Sequence, residues 1–219
     1  MKDSTRKWTF TLIVGLILWS FLFFMRIYWY QPWCATTPSP CIIDQVNILD
    51  RLVFLFGSKE ADFWSNVVQN FTGMVAFIVP WALFKKEAAL EETLITASTS
   101  FWNLAILEVV RAIVQRPRPL VFNNVMGDGA NIHQYTSFYS GHTSFVALAS
   151  LSFFFILKRR LPHLSWRAQA LILTACFGVT ALTGILRVWG GRHYPTDVLA
   201  AILFGTSIAL YFRRKHFLN

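Results

Sequence analysis

Apolar stretches of about 20 residues recur along this chain, each long enough to cross roughly 30 Å of hydrocarbon. No other feature limits the fold as strongly, because runs of that length read as transmembrane helices. Composition agrees: 55% of the 219 residues are hydrophobic and only 14% are charged, where a soluble domain carries roughly 25%. The expected fold class is all-α, a polytopic membrane helix bundle of about six transmembrane helices, with residues 1–219 forming a single domain. The net charge of +9 then needs no nucleic acid partner, since membrane proteins collect Lys and Arg in cytoplasmic loops. Three cysteines are too few for a disulfide framework.

The first span covers residues 8–28 and ends in an aromatic belt of Tyr28, Trp29, Tyr30 and Trp33. It exceeds the apolar core of roughly 7–15 residues found in a cleaved signal peptide, so it reads as a retained helix. Residues 31–62 form an outside segment in which Cys34 and Cys41 flank a turn-rich stretch. They are either a disulfide, if that side is oxidising, or two loop thiols. Residues 48–56 read as a short helix lying in the interface. Further spans cover 63–84, 87–115, 142–157, 168–186 and 194–212, with a loop at 120–139. Asn70-Phe71-Thr72 matches a glycosylation acceptor but lies inside a span. The basic clusters Lys2/Arg6/Lys7, Lys85/Lys86, Lys158/Arg159/Arg160/Arg167 and Arg213/Arg214/Lys215 all fall on one side. The positive-inside rule makes that side the cytoplasm, with both termini on it.

Arg111, Arg116, Arg118, Arg187 and Arg192 fall at the opposite face, where the same rule disfavours them. Ionisable groups at membrane depth are costly and usually functional. The planar donor fork of arginine suits phosphate oxygens, so an anion site on the outer face accounts for them. Three stretches reach that face: 111–119, 139–142 and 187–197. Ser140 sits where an N-cap belongs, so the amides of Gly141 and His142 point out of a helix start, an anion cradle. Pro195 starts a helix, Asp197 falls in its first turn, and His193 lies just ahead.

These residues carry a resemblance. Arg111-x6-Arg118-Pro119, Ser140-Gly141-His142 and Arg187-x5-His193-x3-Asp197 are similar to the three-part signature of the type 2 phosphatidic acid phosphatase family, which shares its site with vanadium haloperoxidases. Three positions depart from it: Arg111 replaces the usual Lys, Tyr139 the usual Pro, and Leu186 the usual Ser. The resemblance implies a metal-independent enzyme without a cofactor, a lipid phosphatase working through a phosphohistidine. His193 would be the nucleophile, Asp197 would orient it, and His142 would protonate the leaving alcohol and then activate water. Arg111, Arg118, Arg187, Ser140 and Gly141 would hold the phosphate.

The expected partner is a membrane lipid with a phosphate or pyrophosphate head group: polyprenyl pyrophosphate, phosphatidylglycerophosphate, phosphatidate or lipid A phosphate. The expected location is a bacterial cytoplasmic (inner) membrane, with the site facing the periplasm or cell exterior. A lipid phosphotransferase with the same intermediate and a lipid or anion transporter are the alternatives. No zinc or magnesium ligand spacing and no glycine-rich nucleotide loop occurs. Other residues read blandly. Arg116 and Arg192, outside the matched positions, read by default as exposed interfacial arginines, the alternative being a rim that attracts anionic lipid head groups. Glu108 and Arg111, three apart, can meet on one helix face. His133 reads as a loop residue, and Cys176 faces lipid or a neighbouring helix.

Overall fold

The structure, a computed structural model, describes residues 2–29, 46–122 and 132–217. Cys34 and Cys41, and with them the disulfide expectation, lie outside the described residues. The helices are α1 (Lys2–Trp29), α2 (Lys59–Leu83), α3 (Lys86–Val114), the single turn α4 (Pro119–Phe122), α5 (Gly141–Arg160), α6 (Trp166–Trp189) and α7 (Pro195–Phe217). No strand occurs among the described residues. Six of these helices are long and apolar enough to cross a membrane, as the apolar runs predict.

The helices outrun the apolar stretches because capping, not hydropathy, sets their ends. Ser58, Ser140 and Ser165 each accept a backbone N–H three residues on, from Ala61, Thr143 and Ala168. Such caps satisfy orphan donors of the first turn. α3 stops at Gln115, whose φ of 46° is left-handed. Pro117 and Pro119 follow, and neither can continue a ladder.

α5 is the central helix, packed on α2, α3, α6 and α7, while α1 lies against α3. Its buried Ala147, Ala149, Ser150 and Ser152 keep it slim. Small residues let membrane helices approach closely. At Gly205 of α7 any Cβ would collide with the Ser144 carbonyl of α5.

The two ends of the bundle are chemically distinct. At one, Ser4 donates to Glu91 at 2.7 Å, and Glu92 accepts from Arg159, Arg160 and Arg213 at 3.1, 2.9 and 2.6 Å. The start of α1 and the end of α7 therefore share one end, where the basic clusters of α5 and α7 also lie. The opposite end gathers the close of α3 and α6 and the openings of α2, α5 and α7.

The stretch expected to lie in the interface as a short helix leaves Ile48, Leu49, Leu52 and Leu55 exposed. It forms a 3-10 helix over Arg51–Leu55, and Asp50 and Val53 are buried. With Val46, Val53 packs against Tyr194, anchoring this loop beneath the start of α7.

Candidate active site

At the last turns of α3, Arg111 donates to Glu108 at 3.2 Å, and Glu108 also pairs with Arg26 of α1 at 2.9 Å. The expected meeting of Glu108 and Arg111 is thus present. Beyond Gln115 the chain turns and runs beside residues 134–137. The Arg118 amide donates to Gln134 O at 2.6 Å and the Ser137 amide to Arg116 O at 2.9 Å. A Cβ added to Gly141 would stand 3.3 Å from Arg111 Nη2. The first motif therefore lies directly against the second.

Ser140 is the N-cap of α5, as its position predicts, and its hydroxyl is buried 3.0 Å from that of Thr143. Its own amide donates to Asp197 O at 3.3 Å, tying the second motif to the third. α6 closes at Gly190, and Gly191 reverses the chain with a φ of +66°, a conformation costly for any side chain. The Arg192 and His193 amides fold back onto Arg187 O at 3.0 and 3.3 Å. This turn places His193 beneath the start of α5, only 1% exposed.

His193 Nδ1 lies 2.9 Å from the carbonyl oxygen of Ser137 and 3.6 Å from Asp197 Oδ2. A carbonyl only accepts, so Nδ1 carries the proton and the lone pair resides on Nε2. Burial, together with the charges of Arg118, Arg187 and Arg111, holds His193 well below its usual pKa of 6.5. The ring is thus neutral near pH 7, the state a nitrogen nucleophile needs.

Asp197 is fully buried and heavily engaged. Ser137 Oγ donates to its Oδ2 at 2.5 Å and the Tyr194 amide at 3.1 Å. Arg116 donates to its Oδ1 at 2.7 Å and, through its other nitrogen, to Asp50 at 2.7 Å. The guanidinium also stacks 3.9 Å over the Tyr194 ring. The expectation of an exposed Arg116 is therefore corrected: two buried carboxylates and an aromatic face hold it inside. Asp50 further accepts from the amide and hydroxyl of Thr196 at 3.0 and 2.7 Å, bracing the first turn of α7.

α2 contributes the face that the motifs do not describe. Asp62 accepts from Arg187 at 2.6 Å and from Arg192 at 2.8 Å, so Arg192 is no free interfacial residue either. Ser65 accepts from Arg187 at 3.1 Å. Asn66 Oδ1 lies 2.6 Å from His142 Nε2. Asp62, Ser65 and Asn66 stand at i, i+3 and i+4, one helix face. That polar stripe beside Phe63, Trp64 and Val67 is the signal by which sequence could have found them.

Arg118 has no carboxylate partner among the described residues, although Arg111, Arg187 and Arg192 bear on it electrostatically. Among the described residues of the site, six arginines face four carboxylates, leaving an excess of positive charge. Among the described residues no group of three or more His, Cys, Asp or Glu stands as a metal-ligand cluster. Cys176, away from the site, is buried and bonded to Ser150 O.

Residues 92–219, more than half of the chain, match the PAP2 superfamily. The chain belongs to that superfamily. All three motifs lie within the matched stretch, while α1, α2 and the Asp50 loop precede it. Undecaprenyl-diphosphatase BcrC of Bacillus subtilis (strain 168) is 29% identical over 135 residues, covering 60% of this chain and 62% of that protein. The chain thus spans less than two thirds of that PAP2 relative's length. The crystal structure of a transmembrane PAP2 type phosphatidylglycerolphosphate phosphatase from Bacillus subtilis superposes with a TM-score of 0.57. It covers 93% of this chain and 96% of its own at 16% identity, a likeness of fold.

Proposed function

We propose that this PAP2 chain is a metal-independent membrane lipid phosphatase that cleaves a lipid phosphomonoester or pyrophosphate through a phosphohistidine. The observation that carries the reading is a neutral, buried His193 with its Nε2 lone pair free of Ser137, set among arginines in excess of their carboxylates. The electron pair on Nε2 attacks phosphorus. The P–O bond to the leaving group breaks, its electron pair goes to that oxygen, and His142 supplies the proton. Water then attacks the phosphohistidine, giving its proton to His142, and inorganic phosphate leaves. Asp197, whose Oδ2 lies 3.6 Å from His193 Nδ1, stabilises the positive ring that forms.

Arg111, Arg118 and Arg187, with the cap at Ser140 and Gly141, hold the phosphoryl oxygens as charge builds on them. A site among helix ends suits a head group at the interface whose tails remain in lipid. The relatives' names point to an undecaprenyl diphosphate or phosphatidylglycerol phosphate kind of substrate. The basic clusters favour cytoplasmic termini in a bacterial inner membrane and a site facing the periplasm.

The test is phosphate release by purified protein in detergent across a panel of lipid phosphates and diphosphates, with chelator present. Release is expected from the wild type and should fall by at least about 10³-fold in His193→Ala, the scale expected on losing a nucleophile. Full activity in that variant, or transfer of labelled phosphate to a second lipid instead of water, overturns the hydrolase reading.

A further inference from the structure

His142 opens α5, and its strongest contact comes from a residue that no motif includes. Asn66 Oδ1 approaches His142 Nε2 at 2.6 Å, short for a hydrogen bond between these atoms. An amide oxygen only accepts, so Nε2 carries a hydrogen whatever the charge of the ring. Nδ1 has no protein partner among the described residues, leaving it as the nitrogen open to exchange with a ligand or water. Asn66 itself is exposed on α2, one turn beyond Asp62, which holds Arg187. One helix face therefore supports both the phosphate grip and the proton donor.

We propose that Asn66 is a positioning residue for the leaving-group proton: its side-chain carbonyl fixes the His142 ring with Nε2–H engaged, so that Nδ1 delivers the proton. This rests on the phosphatase reading and adds a residue on α2, outside the stretch matched to the family. As the P–O bond breaks, its electron pair goes to the leaving oxygen, and the doubly protonated His142 ring gives that oxygen its Nδ1 proton, becoming neutral while Nε2–H stays on Asn66. An alkyl alcohol needs that proton, whereas a nitrophenolate leaves well without it. A misplaced donor therefore penalises the first substrate far more than the second.

Asn66→Leu keeps the volume and removes the acceptor, while Asn66→Asp retains an acceptor at the same atom. With a long-chain alkyl phosphate, Asn66→Leu should lower kcat by about tenfold or more, with KM little changed. With para-nitrophenyl phosphate the fall should be several-fold smaller, and Asn66→Asp should recover most of the alkyl phosphate rate. Equal losses on both substrates, no loss on either, or no recovery in Asn66→Asp overturns the proposal.

Failure of the phosphatase reading looks different, because wild-type protein would then be inert toward both substrates. The ring-carbon NMR shifts of His142, read while the ring is neutral, decide the proposal even then. One Nε2–H tautomer is expected in the wild type and a mixture in Asn66→Leu, whereas identical spectra overturn it.

Discussion

His193 is prepared by what surrounds it more than by what it is. A histidine at a membrane surface ordinarily titrates near 6.5, but burial and three neighbouring arginines hold this one well below that. The sign follows directly. A lowered pKa means that the folded protein binds its proton more weakly than the unfolded chain. The stability contributed is complete above the ordinary histidine range and is lost as pH falls toward the depressed value. Activity should follow the same group: the acid limb of kcat/KM is expected well below pH ~6.5. A pH profile with an acid limb centred in the ordinary histidine range would contradict it. Arg116 acts on the same residue at one remove. It neutralises Asp197 Oδ1, leaving Oδ2 to the Ser137 hydroxyl, the Tyr194 amide and, at longer range, His193.

Between elements, the site depends on how closely α7 approaches α5. The Ser140 amide reaches Asp197 O only because these two helices start side by side. Gly205, two turns along α7 from Asp197, permits this by bringing its Cα against the Ser144 carbonyl. Backbone cannot swing aside as a flexible side chain can, so Gly205→Ala should destabilise by about 1–3 kcal/mol, the usual cost of overpacking. It should also lower activity by parting the second and third motifs. Gly178→Ala on α6 is the control, since a Cβ there meets nothing within 4 Å and gains helix propensity. Thermal unfolding in detergent checks both, and equal melting temperatures for the two variants would refute the packing argument.

For the whole molecule, the bundle is tied at both ends by buried ion clusters with separate duties. The site-end cluster is left with excess positive charge, whereas the far cluster packs Glu92, fully buried, against Arg213, Arg159 and Arg160. Removing one partner of a buried pair strands the other charge, at about 3–5 kcal/mol. Glu92→Ala should therefore lower the unfolding temperature markedly, while kcat/KM of the folded enzyme, assayed well below that temperature, stays near wild type. A loss of kcat/KM with unaltered melting would show that the ends are not independent.

Much of this molecule is legible in its sequence because the relevant signals are local. Twenty-residue apolar runs specify the spans, and Ser140 and the prolines after Gln115 specify where α5 begins and α3 stops. The spacings within three short motifs bring His142, His193, Asp197 and the arginines to one set of helix ends. The residues that complete the site were not legible, because their partners are remote in sequence. Ser137 and His193 are 56 residues apart, Arg187 and Asp62 are 125 apart, and Asp50 and Thr196 are 146 apart. Such pairings depend on the depth and rotation at which one helix packs on another, and no periodicity within a helix encodes that. The sequence determined by itself that a cluster of arginines and histidines, the proposed phosphate site, sits at the ends of a membrane bundle. Only tertiary structure decided that α2 and the Asp50 loop hold it, because buried polar groups must find partners wherever packing brings them.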